Sequence, residues 1–206
     1  MDIITRITRQ RGKMQIAISE QETIFVPLSL FRERPLTEGQ PINLEEYDNW
    51  LMVRQYRHAL DRAVACLAAR AHSKHEIEQK LLRVGYRPCT VEMVLYKLER
   101  EHLLNDADFA RQWVEARSGR KMGRSRIAQE LRRKGIDADE AEEALSAIGE
   151  DAQLADAIAL AEKAAARAKS DEDPRKTYQR IAAMLARRGF RWDITKEALA
   201  QVLQAD

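Results

Sequence analysis

Three glycine-centred segments of this chain repeat the same order of apolar and polar positions. In each copy an isoleucine stands eight residues before the glycine, a leucine four before it and a large apolar residue directly after it; further apolar residues follow at ten and thirteen. Apolar residues four apart place one stripe of a helix on a core, and a left-handed glycine ends a helix. Each copy is therefore predicted to be a helix, a glycine stop and a second helix that packs back across the first. The aligned residues are Ile77, Leu81, Gly85, Tyr86, Leu95 and Leu98; Ile127, Leu131, Gly135, Ile136, Leu145 and Ile148; and Ile181, Leu185, Gly189, Phe190, Leu199 and Val202.

A further helix before each pair completes a three-helix unit. The patterns place these helices at roughly 56–71, 107–120 and 151–169, with Asp106 and Asp151 as capping residues for the last two. Since a tandem repeat contacts mainly its neighbours, the array is expected to be elongated. The predicted fold is mainly α, with three tandem helix-turn-helix-like repeats.

The first part of the chain has strand periodicity instead. Apolar and polar residues alternate in KMQIAIS, and TIFVPL is rich in β-forming residues. Gly12 and the polar stretch Glu20–Glu22 stand where hairpin turns are needed, so a three-stranded meander is expected. Asn43 then caps a helix that continues, with a break, to about Ala71. The predicted division is a β-rich segment over 1–42, a helical linker with the first repeat over 43–104, the second repeat over 105–149 and the third over 150–206.

Composition restricts the class of protein. Of the 206 residues, 45% are apolar and 33% are charged, which favours a packed core of helices with wide solvated faces. The N-terminus has no apolar core typical of a secretory signal, and no apolar run approaches the length of a membrane span. A cytoplasmic protein is expected. Cys66 and Cys89 form no CxxC pair, and two buried free thiols are favoured over a disulfide.

The sequence offers little support for catalysis. His72 and His75 stand three residues apart, but without further ligands they are interpreted as a solvated surface pair rather than a metal site. The stretch RKMGRSR contains one glycine and is not a phosphate-cradling loop. Neither an enzymatic activity nor a cofactor or metal is predicted.

The distribution of charge is more informative than the net charge of +2. Between Arg111 and Lys134 there are nine basic residues and two acids, a local excess of +7, and the third copy repeats the theme around Arg187. Basic residues near helix C-termini also favour the helix dipole, which accounts for part of RRKG and ARRG. It does not account for ARSGRKMGRSR at a junction between helices. This stretch predicts a surface for phosphates or an acidic partner.

A sequence-reading helix-turn-helix protein is disfavoured. Such a protein would insert the third helix of a unit into the major groove, but ADEAEEALSAI in the middle copy has four acids and no base. Arg126, Arg132 and Arg133 lie instead on the side of the preceding helix opposite to Ile127 and Leu131. A backbone-binding or protein-binding array fits this pattern better.

The middle copy resembles a known family. LNDADFARQWVEAR followed by GRSRIAQELRRKGI resembles the RecX family of regulators of the RecA recombinase, and HSKHEIEQKLLRVGY and MLARRGF are similar to its first and third repeats. The resemblance covers about residues 57–204. It implies a non-enzymatic regulator that binds the groove of the RecA–single-stranded-DNA filament and inhibits its extension, ATPase and strand-exchange activities. A monomer is expected.

The partners expected on this basis are the RecA filament and, weakly and without sequence preference, single-stranded DNA; no membrane is involved. A general nucleic-acid-binding module that acts independently of RecA is an open alternative. A structural adaptor is a second alternative, which the local charge excess of +7 disfavours. The residues expected to contact RecA or DNA are Arg117, Arg120, Lys121, Arg124, Arg126, Arg132, Arg133, Lys176, Arg187 and Arg188.

Overall fold

A four-stranded antiparallel sheet forms the N-terminal part of the computed structural model, which describes residues 2–19, 22–168 and 173–203. Counted along the chain, the strands lie across the sheet in the order third, second, first, fourth, so the predicted three-stranded meander is confirmed and a two-residue strand, which the sequence did not indicate, is added at its edge. A short helix α1 follows β3. These elements are β1 (Asp2–Gln10), β2 (Lys13–Ile18), β3 (Glu22–Pro27), α1 (Leu28–Glu33) and β4 (Pro41–Ile42).

The β1–β2 hairpin turns at Arg11 and Gly12, as predicted. Gly12 has a φ of +81°, a conformation that glycine adopts without steric cost. The second predicted turn falls partly on residues 20 and 21, which lie outside the described residues. Ile16 of β2 and Val26 of β3 are fully buried, which confirms the inward face of the alternation.

Three helices follow: α2 (Leu44–Ala69), α3 (Lys74–Val84) and α4 (Pro88–Arg100). The Asn43 side chain accepts a hydrogen bond from the Glu46 N–H, which confirms the predicted cap. The predicted break in this helix is wrong, because α2 has no internal glycine or proline to interrupt it. The sheet and these helices share one hydrophobic core, in which Ile16 and Tyr47 are both buried.

The rest of the chain forms six helices within the described residues. The contacts divide the chain into two compact units, Met1–Asn105 and Asp106–Asp206, here called unit 1 and unit 2. Unit 2 has two apolar cores, one for α5–α7 and one for α8–α10. The finer predicted division into four segments stays a prediction. The helices are α5 (Asp106–Ser118), α6 (Arg124–Arg133), α7 (Ala138–Ser146), α8 (Glu150–Ala165), α9 (Pro174–Arg188) and α10 (Trp192–Leu203).

The predicted capping residues of α5 and α8 lie inside the helices. Asp106 is the first residue of α5, and Asp151 is the second of α8, whose N-cap is Gly149. The backbone thus turns helical one or two residues earlier than the pattern indicated. Both carboxylates still stand in the first turn, where they favour the helix dipole.

The three-fold repeat is confirmed in detail. All three aligned glycines have positive φ, between +75° and +101°. The residue after each one donates its N–H to the carbonyl of the aligned leucine, at 3.2–3.3 Å, which closes the end of the helix. Among the fifteen aligned apolar side chains only Val202 is not buried. The glycine that ends the helix and the apolar stripe before it therefore recur together as one structural unit in all three copies.

Two expectations about individual residues are wrong in part: the cysteines are free but not buried, and of the pair His72 and His75 only His75 is exposed. Cys66 and Cys89 are free, but Cys66 is half-buried and Cys89 is exposed at the start of α4, where its neighbours Thr90 and Val91 take the inward positions. His72 is buried rather than solvated, because it lies directly before the capped start of α3 and its Nδ1 is 2.9 Å from the Arg70 carbonyl oxygen. Burial lowers the pKa of the His72 imidazole.

Candidate interface for an anionic partner

A groove lined by arginines lies between α6 and α9 in unit 2. Its volume is about 1180 Å³, and it is called here the α6–α9 groove. The arginines come from two segments about 60 residues apart in the sequence, so that the fold and not the local sequence brings them together. The lining residues are Arg120, Met122, Ser125, Arg126, Ala128, Gln129, Arg132, Ala186, Arg187, Arg188 and Gly189.

Backbone contacts join the two walls of this groove. The Gly123 N–H donates to the Arg188 carbonyl oxygen at 2.9 Å, and the Ser125 N–H donates to that of Gly189 at 3.1 Å. A Cβ at Gly123 would lie 2.2 Å from the Gly189 carbonyl carbon, so no side chain fits there. This close approach explains the glycine of RKMGRSR, for which sequence reasoning found no role.

The backbone N–H groups at the N-terminal end of α6 all have hydrogen-bond acceptors from Gly123 to Ser125. Between the two backbone bonds, the Arg124 N–H donates to Oε1 of the buried Gln153 at 2.9 Å. The C-terminal end of α9 thus lies against the N-terminal end of α6, an arrangement that pairs opposite dipole ends. These three backbone donors already have partners, so the donors that remain for an external anion are those of the arginine side chains.

Five of the ten predicted contact residues line the groove, and they differ in whether their side chains have a partner within the protein. Among the described residues, Arg120, Arg132 and Arg187 are exposed and form no ion pair. Arg126 Nε lies 3.4 Å from Glu130 Oε1, and Arg188 Nη1 donates to the Arg120 carbonyl oxygen at 3.3 Å. The three exposed guanidinium groups are the ones most available to a ligand.

The other five predicted residues lie outside the groove lining. Lys121 Nζ is 3.0 Å from Asp156 Oδ1, and Arg124 forms an ion pair with Glu142. Arg133 is exposed at the end of α6, and Lys176 is exposed near the start of α9, whereas Arg187 stands near its end. Arg117 is paired too, as described next. Whether any of the ten contacts a partner stays a prediction.

Glu130 is a structural centre that sequence reasoning overlooked, since it was counted only as a charge. Its carboxylate accepts from Arg117 Nε at 2.6 Å and from Trp113 Nε1 at 3.1 Å, besides its contact with Arg126. The Glu130 side chain is only 14% exposed, and Arg117 also lies 4.2 Å over the Trp113 ring. Much of the predicted positive charge around Arg117 therefore stabilises the fold.

The acidic helix α7 keeps its charge at the surface. Asp139, Glu142 and Glu143 are exposed, and Ala144 and Leu145 are buried. The pKa of Glu140 is raised, first by partial burial and then by the neighbouring Asp106 and Asp137 carboxylates. The structure thus agrees with the sequence argument against major-groove insertion of this helix.

The side chains that line the groove have a chemistry that suits anions. Guanidinium groups donate bidentate hydrogen bonds to phosphates and carboxylates. The residues that line it include neither histidine, cysteine nor a carboxylate. Within residues 2–19, 22–168 and 173–203, no group of three histidine, cysteine or acidic side chains is placed to hold a metal ion, and no helix is long and apolar enough to cross a membrane.

Comparison with known proteins shows the relatives of this fold. The family models for the first, second and third three-helix domains of RecX match residues 59–98, 105–145 and 151–199. The regulatory protein RecX of Clostridioides difficile (strain 630) is 31% identical over 210 residues, covering 100% of this chain and 98% of that protein. The chain belongs to the RecX family.

Other RecX proteins agree with this assignment. The regulatory protein RecX of Prosthecochloris aestuarii is 36% identical over 148 residues, which cover 71% of this chain and 95% of that protein. The crystal structure of RecX from Lactobacillus salivarius superposes with a TM-score of 0.67 at 26% identity, over 73% of this chain and 97% of that one. Membership in the RecX family thus places the chain among regulatory proteins.

Proposed function

We propose that this chain regulates homologous recombination by binding the RecA–single-stranded-DNA filament and inhibiting its extension, ATPase and strand-exchange activities. The α6–α9 groove is the proposed contact surface, with the exposed Arg133 beside it. The observation that supports this most is that two distant segments, the α5–α6 turn with α6 and the end of α9, bring Arg120, Arg132 and Arg187 to one groove without an ion-pairing partner among the described residues.

The chemistry of the filament suits this surface. A nucleoprotein filament presents DNA phosphates and acidic side chains, and exposed guanidinium groups bind both. Several screened contacts give an affinity that falls as salt concentration rises. No bond is made or broken in this mechanism, so the chain acts by occupying the filament rather than by catalysis.

The direct test adds the purified chain to RecA filaments on single-stranded DNA and follows ATP hydrolysis and strand exchange. The double variant Arg132→Glu/Arg187→Glu is expected to inhibit at least about tenfold less well, because it replaces attraction by repulsion at two exposed sites. It should keep wild-type helicity, since neither side chain is buried. The matched control is Lys163→Glu/Lys196→Glu, which changes the charge equally at exposed sites away from the groove.

The outcomes separate this proposal from its alternative. Unchanged hydrolysis and strand exchange with the wild-type chain, at low and moderate salt, would refute inhibition of RecA. Inhibition that disappears whenever excess single-stranded DNA is present would indicate a general nucleic-acid-binding module instead. Equal losses in the groove and control variants would mean that overall charge, and not the groove, determines binding.

A further inference from the structure

A second group of basic side chains lies in unit 1, at the tip of the β1–β2 hairpin. They lie around a concave surface that encloses a volume of about 820 Å³. It is lined by Arg9, Gln10, Arg11, Gly12 and Lys13 of the hairpin and by Arg83 of α3. From residue 3 to residue 18 the hairpin has four basic residues and no acid. We propose that this surface, called here the hairpin site, binds the sugar–phosphate backbone of single-stranded nucleic acid.

The hairpin tip is held firmly against its neighbours. The Leu28 N–H donates to the Gly12 carbonyl oxygen at 3.0 Å. A Cβ at Gly12 would lie 3.6 Å from Val84 Cγ2, and one at Gly85 would lie 2.9 Å from Lys13 Cβ, so the tip packs closely on the end of α3. The cations are thus brought together by packing and not by a flexible loop.

The convergence of these cations lacks an internal electrostatic explanation. Arg83 stands in the last turn of α3, where a positive charge favours the helix dipole, and this accounts for that residue alone. Within the described part of the chain, Arg9 and Arg11 are exposed and form no ion pair. The nearby Glu38 carboxylate instead accepts the backbone N–H of Ile7 at 2.7 Å. An external anion is the partner that this arrangement leaves open.

An exposed aromatic ring favours nucleic acid over an acidic protein. Lys13 Nζ lies 4.1 Å from the centroid of the Phe25 ring, and Phe25 is 40% exposed. Phe25 stands opposite Gln15 across the β2–β3 ladder, and Gln15 opposite Thr8 across β1–β2, so neutral polar side chains share this face. Lys13 shares this face with Phe25, whereas Arg9 pairs with Met14 on the other face and lines the site at the tip of the hairpin. An aromatic side chain on a sheet, beside a cation, is a stacking platform for unpaired bases.

The test measures binding of the full chain to fluorescent oligothymidylate by anisotropy, without RecA, over a series of salt concentrations. It uses an Arg132→Ala/Arg187→Ala background, which weakens the α6–α9 groove. Adding Arg9→Ala/Arg11→Ala is expected to weaken binding and to reduce the slope of log K against log salt by about 1.4, since each single-strand phosphate contact contributes about 0.7. The control pair Arg57→Ala/Arg100→Ala, at exposed positions of unit 1 on α2 and α4, should leave that slope unchanged.

Two further measurements complete the test. Phe25→Leu is expected to weaken oligothymidylate binding about fivefold or more through lost stacking, and not to change binding of poly-glutamate. An unchanged slope in Arg9→Ala/Arg11→Ala would overturn the hairpin site. If Phe25→Leu weakened poly-glutamate binding as much as oligothymidylate binding, the proposal would be overturned in favour of an acidic protein partner. Because RecA is absent, failure here and failure of RecA inhibition are distinguishable.

Discussion

At the scale of single residues, Glu130 connects the stability of unit 2 with the charge of its groove. Its largely buried carboxylate neutralises Arg117, which is 22% exposed, and approaches Arg126, which is 40% exposed and lines the groove. One acid thus holds one arginine in the fold and restrains a second that could otherwise reach a ligand. Stability and anion affinity are therefore expected to respond in opposite directions when this charge is removed.

The variant Glu130→Gln tests this coupling. It should lower the free energy of unfolding by about 1–3 kcal/mol, because Arg117 keeps its charge in a mostly buried place without a counter-ion. Anion affinity should be higher, since Arg126 is released. Urea unfolding and oligothymidylate titration measure the two effects, with the exposed Glu143→Gln as the matched control. A variant that is as stable as this control would show that the carboxylate contributes little.

Single residues also show which features of unit 2 could be predicted from the sequence and which could not. The apolar stripe around Ile127 and Leu131 was predictable because a helix places residues four apart on the same face. The roles of Arg117 and Arg187 were not distinguishable in the same way, since one is paired with Glu130 and the other lines a groove. Both are arginines in a basic stretch, and only the packing of distant segments separates them.

At the scale of elements, the contact between the start of α6 and the end of α9 determines whether the groove exists. Two backbone hydrogen bonds cross it, and Gly123 and Gly189 allow the backbones to approach. Gly189 was predictable from its place in the repeat, as the stop of a helix. Gly123 was not, because its requirement comes from a segment that lies 66 residues further along the chain.

Gly123→Ala is expected to disrupt this contact. The new methyl group would meet Gly189 backbone atoms at 2.2–2.3 Å, so that α6 and α9 must move apart and both backbone bonds weaken. Overpacking of this kind costs about 1–3 kcal/mol. Hydrogen exchange should show faster exchange at the Gly123 and Ser125 amides. Gly119→Ala is the control, since its Cβ would meet an ordinary contact of 3.5 Å. Equal protection in the two variants would contradict the proposed role of the contact.

At the scale of the whole molecule, the two units share no hydrophobic core: unit 1 has one core and unit 2 has two. In unit 1 the small sheet and the three helices of the first repeat share a single core that contains Ile16 and Leu51. Unit 2 contains the cores around Ile127 and Ile181, and the Gly123–Gly189 contact joins its two repeats. The sheet is thus part of the first unit rather than an appendage, which explains how so small a sheet remains stable.

Separate cores predict that a cavity in one unit leaves the other folded. Leu51 and Ile181 are both fully buried, so Leu51→Ala and Ile181→Ala should each cost about 2–5 kcal/mol within their own unit. Hydrogen exchange under native conditions is expected to show loss of protection over 2–105 in the first variant and over the helices α8–α10 in the second, and each variant serves as the control for the other. Loss of protection throughout the chain in either variant would mean that the two units unfold as one. Under the predicted behaviour, Leu51→Ala should also weaken the hairpin site while leaving the α6–α9 groove intact, because the hairpin packs on the core that this variant disrupts.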